Sequence, residues 1–188
     1  MVELFKSLIK QFIEKIENRD IELYNEFSLQ HELGIHLREN LPYKIQFERN
    51  VSDFEWEKSN FIKKEIDISI FQDIKSPQIA IELKYPRNGQ YPEQMYSFCK
   101  DIMFIEQLKN AGFNKSFLMI LVDDEKFYQG LKTDGIYKYF RTKEKLTGSI
   151  VKPTGKSLRN DIIIQGEYFI DWIKISNKYR YALIDSSL

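Results

Sequence analysis

The sequence predicts an α/β fold in which a central mixed β-sheet is flanked by helices. Residues 78–85 read as a strand, a helix opens at Pro92, and Phe117-Leu118-Met119-Ile120-Leu121-Val122 follows as an unbroken apolar run. A strand, a long helix and a buried strand make a βαβ crossover, whose two strands lie parallel and whose hand is right. Two more strand candidates, 43–51 and 61–71, come before it. An amphipathic helix opens the chain.

The elements follow in order. Leu4, Phe5, Leu8, Ile9, Phe12, Ile13 and Ile16 recur at helical spacing, which predicts a helix over 2–17. Leu29, Leu33 and Leu37 carry a second helix within 20–40, which ends before Pro42 because the residue preceding a proline avoids helical geometry. In the third helix Met95, Phe98, Ile102, Ile105 and Leu108 share one side, Pro92 suits the first turn, and Gly112 is placed to cap the end. The run 115–122 lacks alternation, as expected of a strand covered on both faces. Beyond residue 125 the pattern weakens, and 162–164, 168–175 and 179–184 read as further strands.

At 188 residues, with 43% apolar and 30% charged side chains, the chain has material for one domain with a real core. The expected organisation is a single domain over 1–188, with a core at about 25–124, an N-terminal helix before it and a β-rich extension after it. The formal charge of zero argues against a strongly basic nucleic-acid coat protein. The longest apolar run falls far short of the ~18 residues of a membrane span. The first residues lack the basic stretch and apolar core of a signal peptide. Cys99 is the single cysteine, which excludes a disulfide framework and a cysteine-rich zinc site. A soluble cytoplasmic protein with no membrane partner is expected.

Several enzyme classes fall away on spacing. His31-Glu32-Leu33-Gly34-Ile35-His36 is one residue longer than a zincin motif, and histidines five apart on a helix point ~140° away from each other. Gly155-Lys156-Ser157 ends like a phosphate-binding loop, but Ile150 stands where its first glycine belongs. His31 and His36 read as surface or packing residues, and Asp123 and Asp124 as caps of the turn after 115–122.

The informative residues lie on two strands. In Glu65-Ile66-Asp67-Ile68-Ser69-Ile70, alternation sends Ile66, Ile68 and Ile70 one way and Glu65, Asp67 and Ser69 the other. In Ile79-Ala80-Ile81-Glu82-Leu83-Lys84-Tyr85, the odd positions face the core and Ala80, Glu82 and Lys84 face away. The simplest hairpin, with its turn centred between Ile74 and Lys75, sets Asp67 opposite Glu82. Directly opposed like charges are destabilising, so two aimed carboxylates point to a cation between them. Oxygen-only ligands favour magnesium or manganese over zinc. Lys84, two residues past Glu82 on the same side, places an ammonium near the attacking water and scissile phosphate of metal-assisted phosphodiester hydrolysis. The competing reading is an ordinary wet sheet face on which Glu65 pairs with Lys84.

At these residues the chain resembles the PD-(D/E)XK nuclease superfamily, the restriction-endonuclease-like fold. The match consists of Asp67, the triplet Glu82-Leu83-Lys84, an acidic helix residue upstream, and a long helix and buried strand downstream; it covers roughly 25–124. Ile66 stands where the proline of the family's name belongs. The resemblance implies that Asp67, Glu82 and the Leu83 carbonyl bind Mg2+ or Mn2+, and that Lys84 positions or helps deprotonate the attacking water. Glu32 matches the helix-borne acidic residue that supports the metal, although its place beside the leucine stripe fits a solvated position equally. Gln94 matches a glutamine of some family branches, without the tyrosine that accompanies it there, since Phe98 occupies that position.

Residues 132–159 carry eight basic and two acidic side chains, interleaved with Tyr137, Tyr139 and Phe140. Lys138, Arg141, Lys143, Lys152, Lys156 and Arg159 are candidate contacts to a nucleic-acid backbone, or else the face of a solvated loop or hairpin. Arg87, in the 85–92 loop, is a further candidate phosphate contact or part of a plain connector.

The expected activity is thus a magnesium-dependent endodeoxyribonuclease of restriction, repair or phage-defence type, with DNA as partner. A homodimer would suit a substrate with two strands to cut. The alternatives are a catalytically inactive nucleic-acid- or protein-binding member of the fold, and a ribonuclease toxin that stacks single-stranded bases on the aromatics near 137–140.

Overall fold

The structure, a computed structural model, describes residues 1–154 and 162–186. The chain runs through helices α1 (Val2–Asn18) and α2 (Glu26–Asn40), strands β1 (Lys44–Asn50), β2 (Glu65–Phe71) and β3 (Ile79–Lys84), then helix α3 (Tyr91–Ala111) and strand β4 (Lys115–Val122). A short helix α4 (Tyr137–Arg141) and strands β5 (Leu146–Ile150), β6 (Ile162–Tyr168), β7 (Ile173–Lys174) and β8 (Arg180–Asp185) complete it. Six strands form one mixed sheet in the order β1-β2-β3-β4-β8-β7, and β5 and β6 pair separately. The fold is α/β, a mixed central sheet flanked by helices.

The crossover is as the sequence predicts: β3 and β4 pair in parallel, from Ile79 opposite Lys115 to Lys84 opposite Ile120. The apolar run of β4 has no alternation because both of its faces are covered. Phe117, Met119 and Leu121 join the core under α1 and α2, while Leu118, Ile120 and Val122 join the core under α3. Each such fully buried side chain contributes roughly 1.5–3 kcal/mol. Proline in the first turn of α3 and Gly112 at its end, with φ 141°, delimit the helix as expected. Helix α2 starts at Glu26 because Asn25 and Ser28 form a reciprocal capping box. Gly34 lets that helix lie close on the sheet, since a Cβ there would stand 2.1 Å from the Phe47 ring.

Three expectations need correction. The strand expected over 61–71 begins only at Glu65, because residues 58–60 form a 3-10 turn and 61–64 run irregularly. The strand expected over 168–175 is reduced to the two residues of β7, an exposed sheet edge kept short in the way that discourages further pairing. The segment 132–159 also holds α4 and β5, neither of which its composition announces.

One departure in β2 bears on function. Ile68 and Ile70 pack toward α1 and α2, whereas Ile66 packs on the opposite side with Ala80, Phe104 and Leu108. The alternation therefore breaks at Asp67. The β1–β2 register passes from Phe47 opposite Ile68 to Arg49 opposite Ile66, with no pair between them. The skipped Glu48 adopts a left-handed backbone, φ 49°. The β2–β3 ladder likewise ends at Ile68 opposite Ile81. Asp67 sits where β2 parts from β3 and where its pairing with β1 skips one position before resuming at Ile66.

Candidate active site

The hairpin register has Ile68 opposite Ile81, Ser69 opposite Ala80 and Ile70 opposite Ile79. It is the register that directs Asp67 and Glu82 toward each other. Beyond the last backbone pair the two carboxylates take over the ladder's role. The Leu83 N–H donates to Asp67 Oδ2 at 2.7 Å, and the Asp67 N–H donates to Glu82 Oε1 at 3.3 Å. Each side chain thus satisfies a backbone donor freed where the strands part.

The wet-face reading of Glu82 and Lys84 is overturned. Helix α3 covers that side of the sheet, and Glu82 is 0% exposed. Lys84 bonds not to Glu65 but to Glu26 Oε1 at 3.2 Å and to the Leu83 carbonyl at 3.0 Å, with Asp101 Oδ2 at 3.6 Å. The second Glu26 oxygen accepts the Tyr85 N–H at 3.0 Å. The ammonium of Lys84 is therefore fixed by carboxylates from α2 and α3.

Three charged residues not singled out in the sequence belong to this centre: Glu26, Lys63 and Asp101. Lys63, from the irregular stretch before β2, donates to Glu82 Oε2 and, at 3.0 Å, to Asp101 Oδ1. Asp101 is 2% exposed, and its Oδ2 is buried without a hydrogen bond. The helix-borne acid that reaches the centre is Glu26. Glu32, six residues on and so ~240° further round α2, has its ion pair with His31 at 3.6 Å. Gln30 reaches in from the same helix, donating to the Asp67 carbonyl at 2.8 Å and to Glu48.

Burial sets the protonation of these groups. It raises the Asp67 carboxyl to about 6 against the opposing pull of Lys63 and Lys84. Glu82 is pushed well up, first by burial and then by the charge of Asp67. Burial acts to lower both lysines, but their carboxylate partners outweigh it and hold both above the ordinary value. The unfolded Asp67 titrates near ~3.9, so between about pH 4 and 6 the folded chain binds more protons than the unfolded one. Stability from this group must then rise as pH falls through about 6. His36 works in the opposite sense, because burial keeps its imidazole below the ordinary value. Comparison with Asp67→Asn removes the contribution of His36, common to both proteins. Urea unfolding in metal-free buffer between pH 7.5 and 5 should show the wild type gaining at least about 1 kcal/mol on the variant. Parallel stability curves would refute this account of Asp67.

The donors at this centre suit a hard divalent ion, being oxygens throughout. A chamber of about 50 Å³ lies between Glu26, Phe27, Gln30, Glu48, Asp67 and Leu83, ample for an ion or a water, which needs ~10–15 Å³. As the side chains stand, the described residues hold no group of three or more His, Cys, Asp or Glu placed to hold a metal ion. The Lys63 ammonium and the freed N–H groups satisfy the oxygens that an ion would otherwise draw together.

The outlying candidates are placed elsewhere. Gln94 donates to Asn88 Oδ1 at 3.0 Å and so ties the loop before α3. Arg87 pairs with Asp123, donates to the Tyr85 hydroxyl at 2.8 Å and lies 4.8 Å from that ring's centre. Arg141 is engaged with the Lys126 and Lys132 carbonyls and stacks on Tyr137 at 4.1 Å. Lys138 pairs with Glu144 at 2.6 Å, and Lys143 is exposed. Lys132, Lys138 and Lys152 border a cavity of about 490 Å³ together with Tyr137 and Tyr139. Lys156 and Arg159 lie outside the described residues. Asp124 caps the turn after β4 by accepting the Lys126 N–H, and buried His36 contacts the Leu8 carbonyl through Nε2 at 3.0 Å. Among the described residues no helix is long and apolar enough to cross a membrane.

Comparison with protein-family models, with curated proteins and with solved structures gives no match.

Proposed function

We propose that the chain is a divalent-metal-dependent nuclease of restriction-endonuclease-like architecture that hydrolyses phosphodiester bonds in DNA. The observation that carries this reading is the convergence of Asp67, Glu82 and Lys84 where β2 parts from β3, all three drawn into one buried charge network. Buried like charges are costly, and groups perturbed by burial together with a specific charge partner cluster at functional sites. Asp67, Glu82 and the Leu83 carbonyl would hold Mg2+ or Mn2+, with Glu26 in the supporting role that the sequence resemblance assigns to Glu32. Such an ion, when bound, polarises the phosphate and acidifies water. Lys84 supplies a fixed positive charge beside the site. The lysines and tyrosines around the cavity near 132–152 support contact with a nucleic-acid backbone and bases.

The test pairs calorimetric titration with Mn2+ against cleavage assays on duplex DNA, single-stranded DNA and RNA. Wild-type protein should bind the ion and cut DNA, and Asp67→Ala should lose binding and cutting together. Absence of both in the wild type overturns the reading. Ion binding without cleavage of any substrate makes the chain a non-catalytic member of the fold, and cleavage confined to RNA makes it a ribonuclease.

A further inference from the structure

Lys63 takes no part in the chemistry read from the sequence, yet it is the closest cation to Glu82. Its ammonium is shared between Glu82 Oε2 and Asp101 Oδ1, the latter at 3.0 Å, and lies 5.4 Å from the centre of the Phe104 ring. Asp101 and Phe104 are both on α3, so the ammonium already rests against that helix. Asp101 keeps a second oxygen, Oδ2, buried and without a hydrogen bond, 3.6 Å from Lys84. An orphaned carboxylate oxygen of this kind is costly, and a nearby N–H donor that swings onto it gains a charge-assisted bond.

The charges at the centre do not balance. Glu26, Asp67, Glu82 and Asp101 carry four negative charges when ionised, against two positive charges from Lys63 and Lys84. The excess equals the charge of one divalent ion, provided that Lys63 stays. Lys63 cannot stay on Glu82 Oε2 if that oxygen is to ligate an ion. Asp101 Oδ2, which faces Lys84 at 3.6 Å but accepts no hydrogen bond, gives it somewhere to go without leaving the site.

We propose that Lys63 is a resident counter-cation that holds Glu82 until a divalent ion arrives and then shifts wholly onto Asp101, so that ion binding is an exchange of cations. This rests on the nuclease reading above and adds a positioning role for Lys63 and Asp101. Lys63 offsets the mutual repulsion of the carboxylates before the ion binds, and the ion's affinity is set by what it must displace.

Mn2+ titrations at pH 8 on the wild type, Lys63→Met, Lys63→Arg and Asp101→Asn test the exchange. With the competitor gone, Lys63→Met should bind Mn2+ at least about tenfold more tightly. Lys63→Arg, which keeps the charge, should stay within about threefold of the wild type. Asp101→Asn, which weakens the landing point, should bind about tenfold less tightly. Unchanged or weaker binding by Lys63→Met overturns the exchange while the nuclease reading stands. If Lys63→Met does not fold, as judged by near-ultraviolet circular dichroism, Asp101→Asn decides, and wild-type affinity there overturns the exchange. Absence of Mn2+ binding by the wild type overturns the nuclease reading and the exchange with it.

Discussion

Lys84→Ala is expected to cut DNA at least about 100-fold more slowly than the wild type, a loss of ~2.7 kcal/mol of transition-state stabilisation. The size follows from how firmly the ammonium is held. Glu26 at 3.2 Å, the Leu83 carbonyl at 3.0 Å and Asp101 at 3.6 Å surround it, and its side chain is 14% exposed. A charge fixed in place needs no reorganisation as negative charge develops on the reacting phosphate. Burial alone would lower its pKa, but Asp101 and Glu26 reverse that and keep it charged. Of the two roles the sequence resemblance offers, orienting the attacking water therefore fits this lysine better than taking its proton. Two readouts follow. The loss should fall on kcat with KM little changed, and the wild-type rate should show no lysine deprotonation step between pH 7 and 9. Single-turnover cleavage by Lys84→Ala at the wild-type rate would remove Lys84 from the mechanism.

The sequence carried Asp67, Glu82 and Lys84 because strand periodicity is simple and the turn near Ile74 admits one obvious register. What it hid is as physical. Alternation predicts Ile66 beside Ile68, but β2 parts from β3 at Asp67 and its pairing with β1 skips Asp67 opposite the left-handed Glu48, a local irregularity that no periodicity in β2 announces. Asp101 sits within a helix whose apolar stripe suggests an ordinary solvated opposite face. That face is buried too, under the β5–β6 hairpin and against the sheet. Lys63 lies in a stretch without regular structure, where no periodicity says which way a side chain points. Glu26 was within reach: the Asn25–Ser28 capping box marks where α2 begins and puts Glu26 in its first turn, nearer the strand ends than Glu32.

Glu106→Ala is expected to destabilise the fold by about 3–5 kcal/mol, a large share of the ~5–15 kcal/mol of a typical domain. Glu106 is 2% exposed on α3, and its carboxylate accepts three hydrogen bonds from β6. The Gln165 N–H reaches Oε2 at 3.0 Å, while the Gly166 N–H and the Tyr168 hydroxyl reach Oε1 at 2.7 Å and 2.9 Å. Removing the acceptor strips all three donors of this partner and leaves a cavity, and each lost charge-assisted bond costs about 1.5–3 kcal/mol before relaxation. Glu106→Gln separates the two causes. Its amide oxygen can still serve Gly166 and Tyr168, but its NH2 group meets the Gln165 N–H donor to donor, so a smaller loss of about 1–2 kcal/mol is expected. Urea denaturation of both variants gives the values, and a Glu106→Ala loss within about 0.5 kcal/mol of zero would refute the account. Glu106 fastens β6, and with it β5 and its neighbouring lysines and tyrosines, to the helix that also bears Asp101. On the nuclease reading, nucleic-acid binding by Glu106→Ala is expected to weaken, since β5 and β6 form a sheet of their own that Glu106 ties to α3.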